Sequence, residues 1–161
     1  MLGRTPHSGG VRQDNIILQA VMAGTDTTFL QQRIYTQLSG GEKQRVQLAR
    51  VFAQIWGEDK DQPRLLLLDE PTAALDLAHK QLILDTLRKL AGTGCAIVLV
   101  AHDFNLVGAV ADQITALSDG QQVAQGSPES VLTPQVFSKI FGVEVSITEH
   151  PKTGRPLVIS L

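Results

Sequence analysis

The sequence predicts an α/β fold, a parallel sheet with flanking helices, on three observations. Two unbroken apolar runs, Leu65 to Leu68 and Cys95 to Val100, are separated by an amphipathic stretch of helix length. Apolar runs that do not alternate are the mark of strands in a parallel sheet with cover on both faces. Strand, helix and strand of these lengths form a right-handed crossover unit. Small hairpins follow in the C-terminal third, around Asp119-Gly120 and around HPKTGRP.

The elements follow in chain order. Residues 1–12 read as loop, and residues 14–23 as a short helix with Ile17, Ala20 and Val21 on one side. A second helical stretch is predicted from Phe29 to Ile34. Ser39 and Glu42 stand three residues apart, the spacing of a reciprocal capping box, and open a helix that runs to about Trp56. Leu48, Val51, Phe52 and Ile55 recur on its inner face at i, i+3, i+4 and i+7. Gly57 and the polar EDKDQP end it. Between the two apolar runs a helix spans about Asp76 to Ala91, with Ile83, Leu84, Leu87 and Leu90 inward and Gly92 as its stop. A short helix follows Asp103. QITALS and QQVAQG flank Asp119-Gly120, a two-residue hairpin turn. Ser127-Pro128 and Thr133-Pro134 each place an N-cap before a proline at the first helical position, and Gly142 closes that helical pair. Residues 143–148 and 157–161 form the last hairpin. The domain division expected is 1–57, the remainder of a helical subdomain, and 58–161, the C-terminal part of an α/β core with its tail.

Composition narrows the function. Hydrophobic residues make up 43% and charged residues 19% of 161 residues, which is a folded, globular balance. A formal net charge of -2 and a pI of about 6.0 give no electrostatic footprint for nucleic acid or anionic lipid. Cys95 is the single cysteine, so neither an internal disulfide nor a multi-cysteine zinc site is available; in CAIVLVA it reads as a small buried hydrophobe. No apolar run approaches the ~20 residues of a membrane-spanning helix, and the polar, Gly-rich start lacks the core of a signal peptide.

Three short motifs carry chemistry. LLLLDE, Leu65 to Glu70, is a strand ending in two carboxylates, and ligands of open α/β sheets bind beyond the carboxyl ends of strands. Asp69 is placed to hold hydrated Mg²⁺. Glu70 is placed to orient and deprotonate a water that attacks a γ-phosphate. Acidic pairs also end surface strands that have no such role. LSGGE, Leu38 to Glu42, puts a capping serine and two glycines at a helix N-terminus, where unobstructed N–H groups and the helix dipole favour an anion such as a triphosphate tail. Read alone, it is also a well-capped helix after a Gly-Gly turn. His102 directly follows the second strand, within reach of a γ-phosphate if that strand lies beside Asp69 and Glu70. A lone histidine there is otherwise a surface residue. His7, His79 and His150 read as solvated.

LSGGEKQRVQLAR, LLLLDEPTAALD, VLVAHD and an Asp-Gly hairpin occur in that order. The series resembles the ABC ATPase family, whose signature motif, Walker B motif with D-loop, and H-loop stand in this sequence. The resemblance covers nearly the whole chain. It implies a partial P-loop NTPase-like fold. It also implies that Ser39, Gly40, Gly41 and Glu42 bind ATP held by the second ATPase subunit of a head-to-tail dimer. Asp69 would serve Mg²⁺, Glu70 would be the catalytic base, Asp76 the D-loop aspartate communicating across the dimer, and His102 the switch histidine. Cycles of ATP-driven closure and opening would drive integral-membrane permease subunits from the cytoplasmic face of a bacterial inner membrane, to which the chain would be peripheral. GRTPH, the AQIW that ends the LSGGE helix, GSPESVLTPQVFSKIFGVEV and EHPKTGRPLV resemble most closely the ATPase subunits of haemin and iron-siderophore importers.

One departure bears on activity. A complete cassette carries G-x-x-x-x-G-K-[ST], and none of Lys43, Lys60, Lys80, Lys89, Lys139 and Lys152 stands in such a setting. This chain is therefore expected to be the C-terminal portion of such an ATPase, inactive by itself, with unpaired sheet edges and exposed apolar faces. The alternative is a non-catalytic half-subunit that offers LSGGE in trans to an intact cassette. Chromosome-structure and DNA-repair ABC ATPases need coiled-coil arms or zinc modules, and neither heptads nor cysteine pairs occur.

Overall fold

Two stretches of backbone, β1 (Arg64–Asp69) and β2 (Cys95–Val100), lie side by side in parallel, with Leu66 opposite Ile97 and Asp69 opposite Val100. The structure is a computed structural model and describes residues 11–56 and 63–161. The GRTPH segment and the EDKDQ of the proposed helix stop lie outside the described residues. The described chain falls into two compact units, one ending at Val100 and the other beginning at Ala101.

In the first unit, α1 (Val11–Gly24) buries Ile17 and Val21. It begins three residues earlier than the hydrophobic spacing indicates. At its end Gly24 comes so close to Thr86 that a Cβ there would fall 2.9 Å from Thr86 Oγ1. The Thr86 hydroxyl donates to the Gly24 carbonyl at 2.8 Å, and Thr25 donates to that of Val21 at 2.9 Å. The helix expected over Phe29 to Ile34 is replaced by two 3₁₀ turns, Thr28–Leu30 and Tyr35–Gln37. Only Leu30 is buried there, and so short a segment cannot offset the cost of nucleating an α-helix.

Helix α2 (Gly40–Ile55) carries the capping box in full: the Ser39 N–H donates to Glu42 Oε2 at 2.8 Å, and the Glu42 N–H to Ser39 Oγ at 3.3 Å. It buries Leu48, Phe52, Ala53 and Arg45, whereas Val51 and Ile55 are half-buried. Helix α3 (Leu77–Gly92) is N-capped by Asp76, whose carboxylate accepts the His79 N–H at 2.9 Å. Gly92 is its last residue rather than its stop. The left-handed residue is Gly94, at φ +82°, placed between α3 and β2.

Parallel pairing of β1 and β2 matches the expectation; the two-sided cover that the unbroken apolar runs suggest is not found among the described residues, and the exposed apolar face expected without the rest of a cassette is. Leu66 and Leu68 are buried at 3% and 8% exposure on the α3 side. On the opposite face Leu65, Leu67, Val98 and Val100 are 59%, 66%, 52% and 52% exposed. Among the described residues no element covers that face or pairs with the free edges of the two strands.

The second unit starts with α4 (Phe104–Val110), N-capped by Asp103, and continues to the hairpin of β3 (Ile114–Ser118) and β4 (Gln121–Gly126). Asp119 and Gly120 turn it with φ of +49° and +73°, the double positive φ of a two-residue hairpin loop. Helices α5 (Pro128–Val131) and α6 (Pro134–Phe141) follow, with Gly142 left-handed after α6. Strands β5 (Val145–Glu149) and β6 (Pro156–Ser160) form the last antiparallel hairpin. Leu132, Phe137 and Val145 make the core, joined by Phe104, Ile114, Ile147 and Val158. The rings of Phe104, Phe137 and Phe141 lie 4.7–5.7 Å apart, with Phe104 edge-on to Phe137. Asn105 secures β6 from α4, donating to the Val158 carbonyl at 3.1 Å and accepting its N–H at 2.7 Å.

Candidate functional site

The capped start of α2 and the C-terminal end of β1 meet in the first unit. At the second glycine of LSGGE, Gly41, a Cβ would lie 3.2 Å from the Ala74 carbonyl, so this first helical turn rests on the loop that leaves β1. Nothing lies within 4 Å of the corresponding point at Gly40, and both Ser39 and Gly40 are exposed. This helix end is therefore bare on one side and packed on the other. The Glu42 carboxyl is held below its ordinary range, first by the backbone N–H of Ser39 and then by its hydroxyl, with Arg33 and Arg45 adding to it. A negative side chain in the first turn is the favourable end of the helix dipole.

Asp69 is the last residue of β1 and is exposed on the face that also carries Leu65 and Leu67. Glu70 follows in the left-handed region at φ +44°, and its N–H donates to the Val100 carbonyl at 2.9 Å. That bond carries the β1–β2 pairing one residue beyond the strand and fixes where the second carboxylate begins. Pro71 and Thr72 are buried, and the turn reaches Asp76, the cap of α3. Among the described residues no three His, Cys, Asp or Glu side chains converge into a metal cage. Hydrated Mg²⁺ needs no such cage: one or two carboxylates beside water and phosphate oxygens suffice, and an exposed Asp69 at a strand end fits that demand. His102 is exposed in the bend between β2 and α4 and belongs to the second unit. The first unit thus brings together Ser39, Gly40, Gly41, Glu42, Asp69, Glu70 and Asp76, and the second unit holds His102.

The structure corrects the reading of His79 as solvated. Its Nδ1 lies 2.8 Å from Asp76 Oδ1 and its Nε2 lies 3.2 Å from Asp26 Oδ2. Asp26 in turn accepts Arg45 Nη1 at 2.7 Å, and that guanidinium also reaches the Asp26 carbonyl at 3.0 Å. Arg45 is only 5% exposed, and the Asp26 pair supplies its countercharge. Partial burial alone would raise the Asp26 carboxyl; the hydrogen bonds from Arg45 and His79 outweigh it and hold the group below its ordinary value. Asp76 is lowered too, first by the His79 backbone N–H and then by the His79 ring. The sequence does hold a signal for this pair, since Asp76 and His79 have the N-cap-to-N3 spacing. The long-range partners Asp26 and Arg45 leave none. His7 lies outside the described residues, and His150 accepts the Lys152 N–H at 3.3 Å within the last turn.

Comparison with known proteins bears on the family of the chain. The family model described as ABC transporter matches residues 7–73, from before α1 to the turn after Glu70. A hemin import ATP-binding protein of Gloeobacter violaceus is 48% identical over an alignment covering 100% of this chain and 59% of that protein. The chain belongs to the ABC ATPase family. A second hemin import ATP-binding protein, from Pseudomonas entomophila, is 43% identical over 99% of the chain and 62% of its own length. Among solved structures, a metal-chelate type ABC transporter in an inward-facing conformation superposes with a TM-score of 0.74 at 26% identity, over 98% of this chain and 61% of that one. The chain thus spans about three fifths of the length of the ABC relatives it matches. No helix among its described residues is long and apolar enough to cross a membrane.

Proposed function

We propose that this chain is the C-terminal portion of the ATP-binding and hydrolysing subunit of an ABC importer that powers uptake of haemin or another iron chelate. The observation that carries the proposal is the contact of the bare, glycine-flanked start of α2 with the acidic turn leaving β1, in a chain 48% identical to a hemin import ATP-binding protein. The N-terminal N–H groups of α2 with Ser39 suit the triphosphate tail of an ATP held by the second subunit of a head-to-tail dimer. Asp69 would hold Mg²⁺, whose charge, when bound, offsets that of the phosphates. Glu70 would orient the attacking water and accept its proton. Asp76 would carry the state of this turn across the dimer, and His102 would contact the γ-phosphate. On this reading residues 1–57 complete a helical subdomain and 58–161 belong to the catalytic core. The assembly works against integral-membrane permease subunits, peripheral to the cytoplasmic face of the bacterial inner membrane. Substrate recognition falls to other subunits, and no residue of this chain touches haemin.

The test is haemin-dependent growth of a bacterium that lacks its own haemin-import ATPase, supplied with the gene product that carries these residues. Growth that is lost in Glu70→Gln and in Ser39→Arg supports the proposal; equal growth of both variants and wild type sinks it. The isolated 161-residue chain is expected to show no Mg-ATPase. Turnover by that chain, abolished by Glu70→Gln, would mean that the phosphates find their cradle within these residues.

A further inference from the structure

Gln44 stands two residues beyond the LSGGE pentapeptide and has been given no role above, yet it touches the candidate base and the turn behind it. It follows Gly41 by three residues on α2, hence on the same helix face. Its side-chain nitrogen donates to the Glu70 carbonyl at 3.2 Å, and its side-chain oxygen accepts the Ala74 N–H at 3.2 Å. The Ala73 N–H reaches the same Glu70 carbonyl at 3.3 Å, and the Leu75 N–H closes on Thr72 at 3.2 Å. One amide side chain thus spans the mouth of the turn from Glu70 to Ala74.

That turn needs support. Glu70 sits at φ +44°, a region that a residue with a Cβ occupies only where its surroundings over-determine it. Its N–H side is fixed by Val100 on β2, and its carbonyl side is fixed by Gln44. The close approach of Gly41 to the Ala74 carbonyl, 3.2 Å from where a Cβ would stand, brings α2 near enough for Gln44 to reach.

We propose that Gln44 is a positioning residue for Glu70: it holds the left-handed backbone from which that carboxylate departs and ties it to the first turns of the LSGGE helix. The proposal rests on the functional reading above for the role of Glu70, and adds that the two motifs are joined mechanically within one chain. The joint asks for an amide of this length. Glutamate keeps the acceptor for Ala74 but turns a carboxylate toward the Glu70 carbonyl. Methionine fills the space and makes neither bond.

The experiment is NMR on the ¹⁵N,¹³C-labelled 161-residue chain, comparing wild type with Gln44→Met and Gln44→Glu. The readouts are Ala74 amide exchange and the Glu70 carbonyl ¹³C shift, with α3 amides reporting that the unit is folded. Ala74 exchange is expected to rise about two- to tenfold in Gln44→Met, the factor set by a net hydrogen bond of ordinary strength. In Gln44→Glu, Ala74 should stay protected while the Glu70 carbonyl moves as it does in Gln44→Met. That split distinguishes positioning from general packing. If Gln44→Met does not fold, Gln44→Glu, of equal size, decides by itself. Unchanged Ala74 exchange and an unchanged Glu70 shift in the folded variants overturn the proposal. These readouts do not depend on ATP turnover, so loss of the growth phenotype and loss of the Gln44 joint are separate failures.

Discussion

The two units cover their strands in different ways. In the second, α5 packs on β3 and β4, α6 on β4 and β5, and α4 on β6, so each hairpin has a helix against it. In the first, α3 packs on β2, and the open face of β1 and β2 presents four aliphatic side chains more than half exposed. An uncovered apolar face with free strand edges is an association surface. The chain spans about three fifths of its relatives, and in the first unit the candidate site lies at the end of the half-covered sheet. The second unit closes its own core, while the unit that bears the LSGGE and Asp-Glu motifs has apolar surface in excess of its own cover.

The largest effects should come from the two cores. Phe137→Ala removes the buried ring that packs against both Phe104 and Phe141 and is expected to cost about 3–5 kcal/mol, read as early loss of near-UV signal from the second unit. The sharper contrast lies within β1. Leu66→Ala should cost about 2–5 kcal/mol, the usual range for a buried leucine, whereas Leu67→Ala, next to it on the open face, should cost well under about 1 kcal/mol. Leu67→Lys should also reduce self-association of the chain in sedimentation and its binding of apolar dyes. Equal destabilisation by Leu66→Ala and Leu67→Ala would show that the open face is covered in solution.

Much of this was legible in the sequence, and the gaps have physical causes. Ser39 with Glu42, Asp119-Gly120 and Gly142 are local signals, because the bonds they make are to residues a few positions away. The parallel pair is legible in its apolar runs, but an apolar run does not say which face finds a partner; that a face lies open follows from the absent P-loop motif, and that it is the face of Leu65 and Leu67 does not. The Gln44 bonds and the Asp26–His79 contact span 26 to 53 residues, so no local spacing encodes them. Gly92 is the first glycine after the apolar stripe and so reads as the stop of α3, but the left-handed conformation falls two residues later, at Gly94.

Next in size is the Asp26 network, which sharpens the comparison because it is a charged anchor inside the half-covered unit. Asp26→Ala leaves the buried Arg45 without its carboxylate and should cost about 1–3 kcal/mol. It should also flatten the acid limb of stability. Asp26 and Asp76 both have carboxyls held below the ordinary 3.8 in the folded chain. Their contribution is therefore fully present above that value and is lost as pH falls through the lowered folded values, since the unfolded chain binds the protons first. Urea midpoints from pH 6 down to pH 2 should fall less steeply in Asp26→Asn than in wild type. An identical slope would mean that the Arg45 and His79 bonds to Asp26 do not persist in solution.

The smallest effect tests how the second unit closes itself. Ser127-Pro128 and Thr133-Pro134 share one sequence pattern, yet only Thr133 caps its helix, its hydroxyl accepting the Val136 N–H at 3.4 Å. The Ser127 hydroxyl makes no cap bond, and the Glu129 carboxyl is held below its ordinary value, chiefly by that hydroxyl, so the contribution of Ser127 belongs to pH above the ordinary carboxyl range and fades in acid. Thr133→Ala should therefore cost about 1 kcal/mol at any pH at which the unit is folded. Ser127→Ala should cost less, and its cost should vanish as Glu129 is protonated. The order follows from geometry: α6 presents Phe137 to the core and must start at a fixed point, whereas α5 is a single turn whose first N–H groups remain near solvent. Thermal melts of the two variants at neutral and acid pH read the difference directly. A Ser127→Ala loss equal to that of Thr133→Ala at both pH values would mean that both prolines follow working caps.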